Sequence, residues 1–334
     1  MKRRSIILLM VMLLLATVVF AFVACNDTDK ELVVTDGLQY TLSSNGMYYS
    51  ISGYSGTESD VIIGKTYNSK PVQEISSSAF KNNTEITSIK IPDSVTSIGE
   101  VAFENCSSLT SITIPDSVTS IGEGVFADCS SLTSVTIGNS VTSIGEGVFE
   151  NCSSLTSVTI GNGVSSISDD AFFNCSSLTS IKVGENNQSY KTIDGNLYTK
   201  DGATLIQYAI GKTETSFVIP DGVTSIGKGA FENCGSLTSI TIPDSVTSIG
   251  DDAFFGCGSL TSITIPDSVT SIGKWAFSGC SLTSVTFENT SGWWYASSST
   301  ATNGTSISSV DLANTSTAAE YLTSTYRFYY WKRS

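Results

Sequence analysis

Residues 91–113 have the sequence IPDSVTSIGEVAFENCSSLTSIT, and close copies of this stretch recur along most of the chain. The cysteines mark a period of 23 residues, at Cys106, Cys129, Cys152 and Cys175, and again at Cys234, Cys257 and Cys280. An earlier, degenerate copy carries Asn83 in the cysteine position, which brings the number of units to eight. Self-similarity at a fixed period of this length is typical of solenoids.

Apolar residues occupy the same positions in every unit. In the quoted unit they are Ile91, Val95, Ile98, Ala102, Phe103, Cys106, Leu109 and Ile112. The alternation from Leu109 to Ile114, with β-branched residues, is typical of a strand. The stretch from Gly99 to Asn105 has room for one short helical or 3₁₀ turn at most. We therefore predict one strand, one turn and one compact helical segment per unit, with like residues stacked above like.

The repeated strings IPDSVTSIG, AF-x-NC and SLTSI, as at 91–115, 114–138, 219–243 and 242–266, resemble the BspA-like or Treponema-type leucine-rich repeats. The resemblance covers about residues 60–290 and extends to an opening unit at 66–75 and a restart at 221–231. It implies an α/β repeat solenoid with a parallel β-sheet on the concave face and short helical or 3₁₀ segments on the convex face.

The sequence divides into six segments. These are a lipoprotein signal peptide at 1–24, a lipidated N-terminus and capping hairpin at 25–60, repeats at 61–186, an inserted β-hairpin at 187–217, repeats at 218–288, and a C-terminal linker and cap at 289–334. The insertion is predicted from Asp-Gly pairs at 194–195 and 201–202, each flanked by strand-forming residues. It is either a larger variant of the repeat or a binding protrusion.

Both ends of a solenoid need a cover, because an open end exposes core and strand edges. After the Ser/Thr-rich stretch 289–309, Val310 and Leu312 are predicted to form a last strand, and residues 316–322 a short helix. The aromatic residues between 326 and 331 then cover the end of the core. An alternative is that these aromatics bind carbohydrate.

The first residues resemble a bacterial export signal. Lys2, Arg3 and Arg4 precede an apolar run over residues 6–20, and small residues lead to Cys25. The segment FVAC at 22–25 resembles a lipobox, with phenylalanine where leucine is usual, which implies a lipid on Cys25. Ordinary cleavage near residue 21 or 24 is the alternative. We expect an exported protein at the cell surface or in the outer membrane of a bacterium, in contact with membrane only through this anchor.

Composition argues against several functions. The chain contains no histidine, so Ser–His and Cys–His catalytic pairs and His-based zinc sites are excluded. The formal net charge of −14 disfavours nucleic acid as a partner. Seven cysteines remain after Cys25, spaced without any C-x-x-C pair, and we expect buried free thiols rather than a metal or redox site, with disulfides between coils as an alternative. We therefore expect no catalytic residue, no metal site and no cofactor, and a protein that is not an enzyme.

The predicted sheet carries hydroxyl groups on its outer face, interrupted by two lysines. We predict a concave ligand-binding surface formed by Lys90, Ser111, Thr113, Ser134, Thr136, Ser157, Thr159, Lys182, Ser239, Thr241, Ser262 and Thr264. The family resemblance implies adhesion or another protein–protein interaction, with an extracellular or host-surface protein, such as a matrix protein, as partner of a monomer. The alternatives are a structural or antigenic envelope protein without a specific ligand, and an enzyme or unusual binder.

Overall fold

The computed structural model describes residues 33–334, in which successive repeats stack as the coils of a parallel β-solenoid. Most coils contribute a long strand of three or four residues and a short strand of two residues. The ten long strands are Asp60–Ile62, Ser88–Lys90, Ser111–Ile114, Ser134–Ile137, Ser157–Ile160, Ser180–Val183, Ser216–Val218, Ser239–Thr241, Ser262–Ile265 and Ser284–Phe287. The short strands are Ser97–Ile98, Ser120–Ile121, Ser143–Ile144, Ser166–Ile167, Ser225–Ile226, Ser248–Ile249 and Ser271–Ile272. The predicted signal peptide and Cys25 lie outside the described residues.

Neighbouring coils pair in parallel and in exact repeat register. Ser134 lies opposite Ser111, and Val135 opposite Ile112, and the same register continues through the next two long strands. The short strands follow the same rule, with Ser97 opposite Ser120. Because side chains alternate between the two faces of a strand, apolar residues lie above apolar residues and hydroxyls above hydroxyls from Ser111–Ile114 to Ser157–Ile160, and Lys182 then lies opposite Thr159. The predicted parallel repeat solenoid is confirmed.

The segment that follows each short strand is a series of turns, and no helix occurs in the described repeats. In the coil that contains Phe103, both Val101 (φ 50°) and Asn105 (φ 57°) have left-handed backbone, which interrupts any right-handed helix. The N–H groups of Val101, Phe103 and Asn105 donate instead to carbonyls of the next coil, at 2.8–2.9 Å. The helical or 3₁₀ segments expected on the convex face are therefore not found, because this backbone bonds between coils.

Stacked phenylalanines occupy the centre of the core, as predicted. The ring centroids of Phe103 and Phe126 are 5.5 Å apart, and their planes are within 8° of parallel. The other neighbours within each array are 5.0–5.8 Å apart. The ring of Tyr208, in the insertion, lies 5.2 Å from Phe231 and extends the second stack.

The insertion is part of the core and not a protrusion. It forms three antiparallel strands, Tyr190–Ile193, Asn196–Thr199 and Thr204–Gln207, where one hairpin was predicted. Asp194 (φ 50°) and Gly195 (φ 78°) supply the two left-handed residues that a tight hairpin of this kind requires. Leu197, Tyr198 and Leu205 are fully buried. The structure thus favours a variant repeat over a binding protrusion.

At the N-terminal end, a hairpin closes the ladder of short strands. Leu38–Leu42 pairs antiparallel with Tyr49–Tyr54, which pairs in parallel with Lys70–Ile75, and this strand in turn pairs with the first short strand. A two-residue strand, Thr66–Tyr67, forms a second small hairpin with the start of Lys70–Ile75. Pairing of this kind covers the sheet edge that an open ladder would expose.

The C-terminal end is closed by three strands, two α-helices and a π-helical turn. The strands are Trp293–Ala296, Thr305–Ser306 and Tyr330–Arg333; the helices are Ser309–Ala313 and Thr315–Glu320, followed by the π turn Tyr321–Thr325. Tyr330–Arg333 pairs antiparallel with the last short strand, Ser271–Ile272. The strand predicted at Val310 and Leu312 was wrong, because the Ser308 hydroxyl caps a helix there and only Leu312 turns inward. None of the helices between residues 33 and 334 has the length and apolarity needed to cross a membrane.

Candidate interaction surface

The long strands present hydroxyl groups of two kinds, which differ in what they bond. In the stretch L-T-S-I-T-I at 109–114, Leu109, Ile112 and Ile114 are buried, whereas the Thr and Ser residues face outward. The first threonine precedes the strand, and the serine and second threonine lie within it. The repeated register places each of these three hydroxyls in its own row across the coils.

The row that precedes the strands is structural. Thr133 donates its backbone N–H to the carbonyl of Thr110 at 2.8 Å, and its Oγ1 donates to the same oxygen at 2.9 Å. Thr110, Thr156 and Thr179 make the same pair of bonds to their own preceding coil. These hydroxyls tie one coil to the next and are not free for a ligand.

The other two rows are free. Among the described residues, no protein hydrogen-bond partner exists for the hydroxyls of Ser111, Ser134 and Ser157, or for those of Thr113, Thr136 and Thr159 in the second row. The threonines are exposed and the serines exposed or half-buried. These two rows are termed the Ser/Thr face. Since each hydroxyl can donate once and accept twice, the face offers a regular array of unsatisfied hydrogen-bonding groups.

The twelve predicted surface residues fall into three paired segments rather than one continuous sheet. Those from Lys90 to Lys182 belong to one six-stranded sheet, formed by the long strands from Asp60–Ile62 to Ser180–Val183. Ser239 and Thr241 pair with the strand Ser216–Val218, and Ser262 and Thr264 pair with Ser284–Phe287. The first break arises because the insertion occupies the edge of Ser180–Val183, where Gly195 accepts the Ile181 N–H at 2.8 Å.

The two lysines stand at the limits of the first segment. Lys182 lies opposite Thr159 in the last strand before the insertion. Lys90 lies opposite Ile62, in the first pair of long strands. Both side chains are exposed. The first segment of the Ser/Thr face therefore has a lysine near each end, and at the Lys90 end the Asp60 carboxylate of the outermost strand accepts a hydrogen bond from the Ser88 hydroxyl.

The repeated cysteines, at one position in each of seven coils, are mostly buried. All seven described cysteines are free thiols, and six of them are buried. The Cys129 Sγ lies 3.1 Å from the carbonyl oxygen of Phe103, and equivalent contacts recur along both arrays. Burial raises the pKa of Cys106 and of Cys175 to about 12, so these thiols stay protonated and unreactive. The buried-thiol interpretation is favoured over disulfides between coils.

One cluster of carboxyl groups was not predicted from the sequence. Asp170, in the last coil before the insertion, lies beside Lys228, Glu232 and Asp252, in the coils after it, around a shallow surface depression of about 310 Å³. The Lys228 Nζ is 3.8 Å from the Asp170 Oδ1. Burial, followed by the charges of Asp252 and Asp170, raises the pKa of Glu232 to about 7. The motif D-D-A-F-F at 169–173 and 251–255 was the available signal, since it flanks the unit that carries Glu232.

The carboxyl groups around Glu232 are the candidate site for acid–base chemistry. A carboxyl group with a pKa near neutrality is what a general acid requires, although ion pairs in purely structural sites shift pKa values as well. In the described part of the chain, no group of three or more Cys, Asp or Glu side chains is arranged to hold a metal ion.

Of the five aromatic residues predicted to cover the C-terminal end, Trp331 is buried and Tyr326, Tyr329 and Tyr330 are half-buried. Trp293 and Trp331 are 2% and 1% exposed, and their ring centroids are 6.3 Å apart. Phe328 is half-exposed and stacks edge-on against Trp275. The two tryptophans therefore present no face to a sugar ring, and the structure favours a cap over a carbohydrate-binding patch.

The match to a known protein family covers the same repeats. The BspA type leucine rich repeat region matches six copies, over residues 73–200 and 211–327, which is well over half of the chain. The chain belongs to this family. No curated protein is significantly similar to it in sequence.

Solved structures of leucine-rich repeat proteins share the architecture. A protein from Eubacterium ventriosum is 28% identical, with a TM-score of 0.54, over 76% of this chain and 71% of that one. The pneumococcal vaccine antigen PcpA is 23% identical, with a TM-score of 0.58, over 78% of this chain and 82% of that one. The likeness to PcpA is one of fold. A T. pallidum leucine rich repeat protein is 26% identical over 68% of this chain and 90% of that one, with a TM-score of 0.48.

Proposed function

We propose that this BspA-type repeat protein is an exported, non-enzymatic surface protein that binds another protein through the Ser/Thr face. The observation that carries the proposal is the two rows of exposed hydroxyls without protein partners, repeated in register from coil to coil. A broad polar surface of this kind is what repeat proteins use to bind macromolecules. Near-identical rungs suit an extended or repetitive ligand, or several weak contacts at once.

The expected partner is an extracellular or host-surface protein, such as a matrix protein. The net charge of −14 and the absence of a basic patch on the Ser/Thr face argue against nucleic acid. To test the proposal, the mature chain from residue 26 onward is titrated against a panel of matrix proteins and partner cells. Saturable binding to at least one member is expected, and featureless traces across the whole panel would contradict the proposal.

The proposed anchor is a lipid on Cys25, supported by the basic start, the apolar run and the FVAC sequence. Replacing Cys25→Ala is expected to release the protein from the membrane fraction, because no thiol remains for the lipid. Unchanged membrane retention of the variant would refute lipidation.

The second candidate is an antigenic or structural envelope protein without a specific ligand. The uniformity of the rungs favours it, since no position on the Ser/Thr face differs enough from its neighbours to form a tuned pocket. PcpA, which shares the fold, is described as a vaccine antigen. A third possibility, an enzyme, would be supported by a hydrolytic activity that the Glu232→Gln variant loses.

A further inference from the structure

Exposed apolar side chains are concentrated at the N-terminal end of the solenoid. Nine large apolar residues in the described chain are strongly exposed, and five of these fall between residues 33 and 67. They are Val33 (83%), Val34 (40%), Leu42 (45%), Met47 (68%) and Tyr67 (39%). The other four, in later coils and in the C-terminal cap, are scattered singly, as is normal for a protein surface.

Leu42, Met47 and Tyr67 lie on or beside two hairpin tips that are joined to each other. The ring of Tyr40 stacks on Tyr67 at 3.8 Å, and Leu42 is on the same face of its strand as Tyr40. Across the tips, the Lys70 Nζ donates to the carbonyl oxygen of Gly46 at 2.6 Å, next to Met47.

Val34 is assigned to the patch because its side chain lies beside Gly64, three residues before Tyr67, where an added Cβ would meet the Val34 Cγ2 at 2.8 Å. Val34, Leu42, Met47 and Tyr67 are together termed the N-terminal apolar patch.

The chain beyond the patch is short. Seven residues separate Cys25 from Val33, and even fully extended they let the cysteine lie no more than about 28 Å away. If Cys25 carries a lipid, as proposed above, this end of the solenoid is the part of the protein held at the bilayer.

We infer that the N-terminal apolar patch contacts the phospholipid surface to which Cys25 is anchored. The inference rests on the proposed lipidation. Tyrosine is enriched at the level of lipid headgroups, where its apolar ring and polar hydroxyl are both satisfied. The apolar side chains enter the boundary between headgroups and acyl chains. The contact supplements the lipid and orients the solenoid with its first coil towards the membrane.

The test uses the full lipidated chain bound to zwitterionic phosphatidylcholine vesicles. Met47→Cys is labelled with an environment-sensitive fluorophore, and Val310→Cys, an equally exposed apolar position in the C-terminal cap, is the matched control. Labelled wild-type protein gives the background from the native thiols. Sedimentation with the vesicles is measured on the same samples, so that anchoring and contact are read separately.

The expected result is a blue-shifted emission at position 47, strongly quenched by nitroxide-labelled lipid, and a water-like, unquenched emission at position 310. A water-like signal at position 47 in protein that sediments with the vesicles would overturn the contact and leave the anchor intact. Protein that does not sediment at all would overturn the anchor, and with it the contact. Equal quenching at both positions would show that the surface lies on lipid without a preferred end, which also overturns the inference.

Discussion

The two threonines of the L-T-S-V-T-I stretch at 132–137 have different roles, although the sequence presents them alike. Thr133 spends its hydroxyl on the carbonyl of the preceding coil, at 2.9 Å, whereas Thr136, three residues later, has no partner in the described chain. A hydrogen bond of this kind contributes about 1 kcal/mol on average. The same residue type therefore stabilises the stack at one position and remains available to a ligand at the other.

Phe126 is the residue whose truncation should cost most in the first array. It is fully buried between Phe103 and Phe149, and Phe126→Ala is expected to cost about 3–5 kcal/mol through lost burial and the cavity left behind. Urea denaturation followed by circular dichroism measures the loss. Phe255→Ala is the matched control, because Phe255 is 36% exposed; equal losses in the two variants would contradict the buried stack.

Glu232 should make stability depend on pH near neutrality. The pKa of its carboxyl is raised from 4.5 to about 7 by burial and by Asp252 and Asp170, so the folded protein keeps a proton that the unfolded chain releases. The contribution of Glu232 to the stability of the wild type therefore falls as the pH rises from about 4.5 to about 7 and stays low above that.

Glu232→Gln cannot ionise and escapes this loss, so its stability relative to wild type should increase as the pH is raised through that window. Thermal melts of both proteins at a series of pH values measure the difference. A difference that stays constant across the series would show that Glu232 titrates at its ordinary value.

At the scale of the element, each coil contains two related strands where the sequence predicted one. The stretches V-T-S-I and L-T-S-I both place a threonine before an outward serine and an inward isoleucine, and both form strands. This similarity was visible in the sequence, but the glycine directly after V-T-S-I suggested a turn. The two-residue strand is stabilised by the coils on either side and not by local preference.

The sequence also could not show that the predicted helical segment is a series of turns, because that conformation too depends on bonds between coils. The backbone of Val101 is left-handed, a conformation that is rare for a β-branched residue. Only the hydrogen bonds to the next coil explain this conformation. The repeat period, the phenylalanine stack and the outward hydroxyls were predictable because each depends on the repeat pattern alone. The carboxyl cluster around Glu232 was not, because the insertion separates its members along the chain.

Two glycines at the same repeat position, Gly122 and Gly145, differ in how closely the neighbouring coil approaches them. A Cβ on Gly122 would lie 2.4 Å from the backbone nitrogen of Glu100, whereas one on Gly145, at the same repeat position, would meet its nearest neighbour at 3.5 Å. Gly122→Ala is thus expected to cost about 1–3 kcal/mol by forcing the coils apart, and Gly145→Ala to cost much less. Equal denaturation midpoints for the two variants would contradict the spacing.

The insertion should depend on Asn187 far more than on the Tyr198 hydroxyl. The buried Asn187 Nδ2 donates to the carbonyls of Gly161 and Val164 at 3.0 and 2.9 Å, and its Oδ1 accepts two backbone N–H groups at 2.8 Å. The buried Tyr198 hydroxyl has no hydrogen-bond partner among residues 33–334.

Asn187→Ala should therefore destabilise the protein by about 2 kcal/mol or more, because it strands buried backbone groups, while Tyr198→Phe should be neutral or stabilising. Chemical denaturation of both variants checks this. A large loss in Tyr198→Phe would show that its hydroxyl is satisfied in solution.

For the whole molecule, the insertion joins two arrays. Leu197 belongs to the core of the first array and Tyr198 to that of the second, so a single inserted strand contributes to both. On the surface, the Asn233 Nδ2 donates to Asn174 Oδ1 at 3.3 Å, across the 59 residues between them. The arrays are therefore in contact both through the core and along one edge.

The central functional claim is that the Ser/Thr face binds a protein, and a pair of arginine substitutions tests it most directly. Thr136→Arg places a bulky charge on this face, and Ser143→Arg places the same group on an exposed short-strand position of the same coil. Affinity for the partner found in the binding panel is measured for both variants and wild type. Thr136→Arg is expected to lose binding and Ser143→Arg to keep it; unchanged binding by Thr136→Arg, or equal loss in both variants, would contradict binding through the Ser/Thr face.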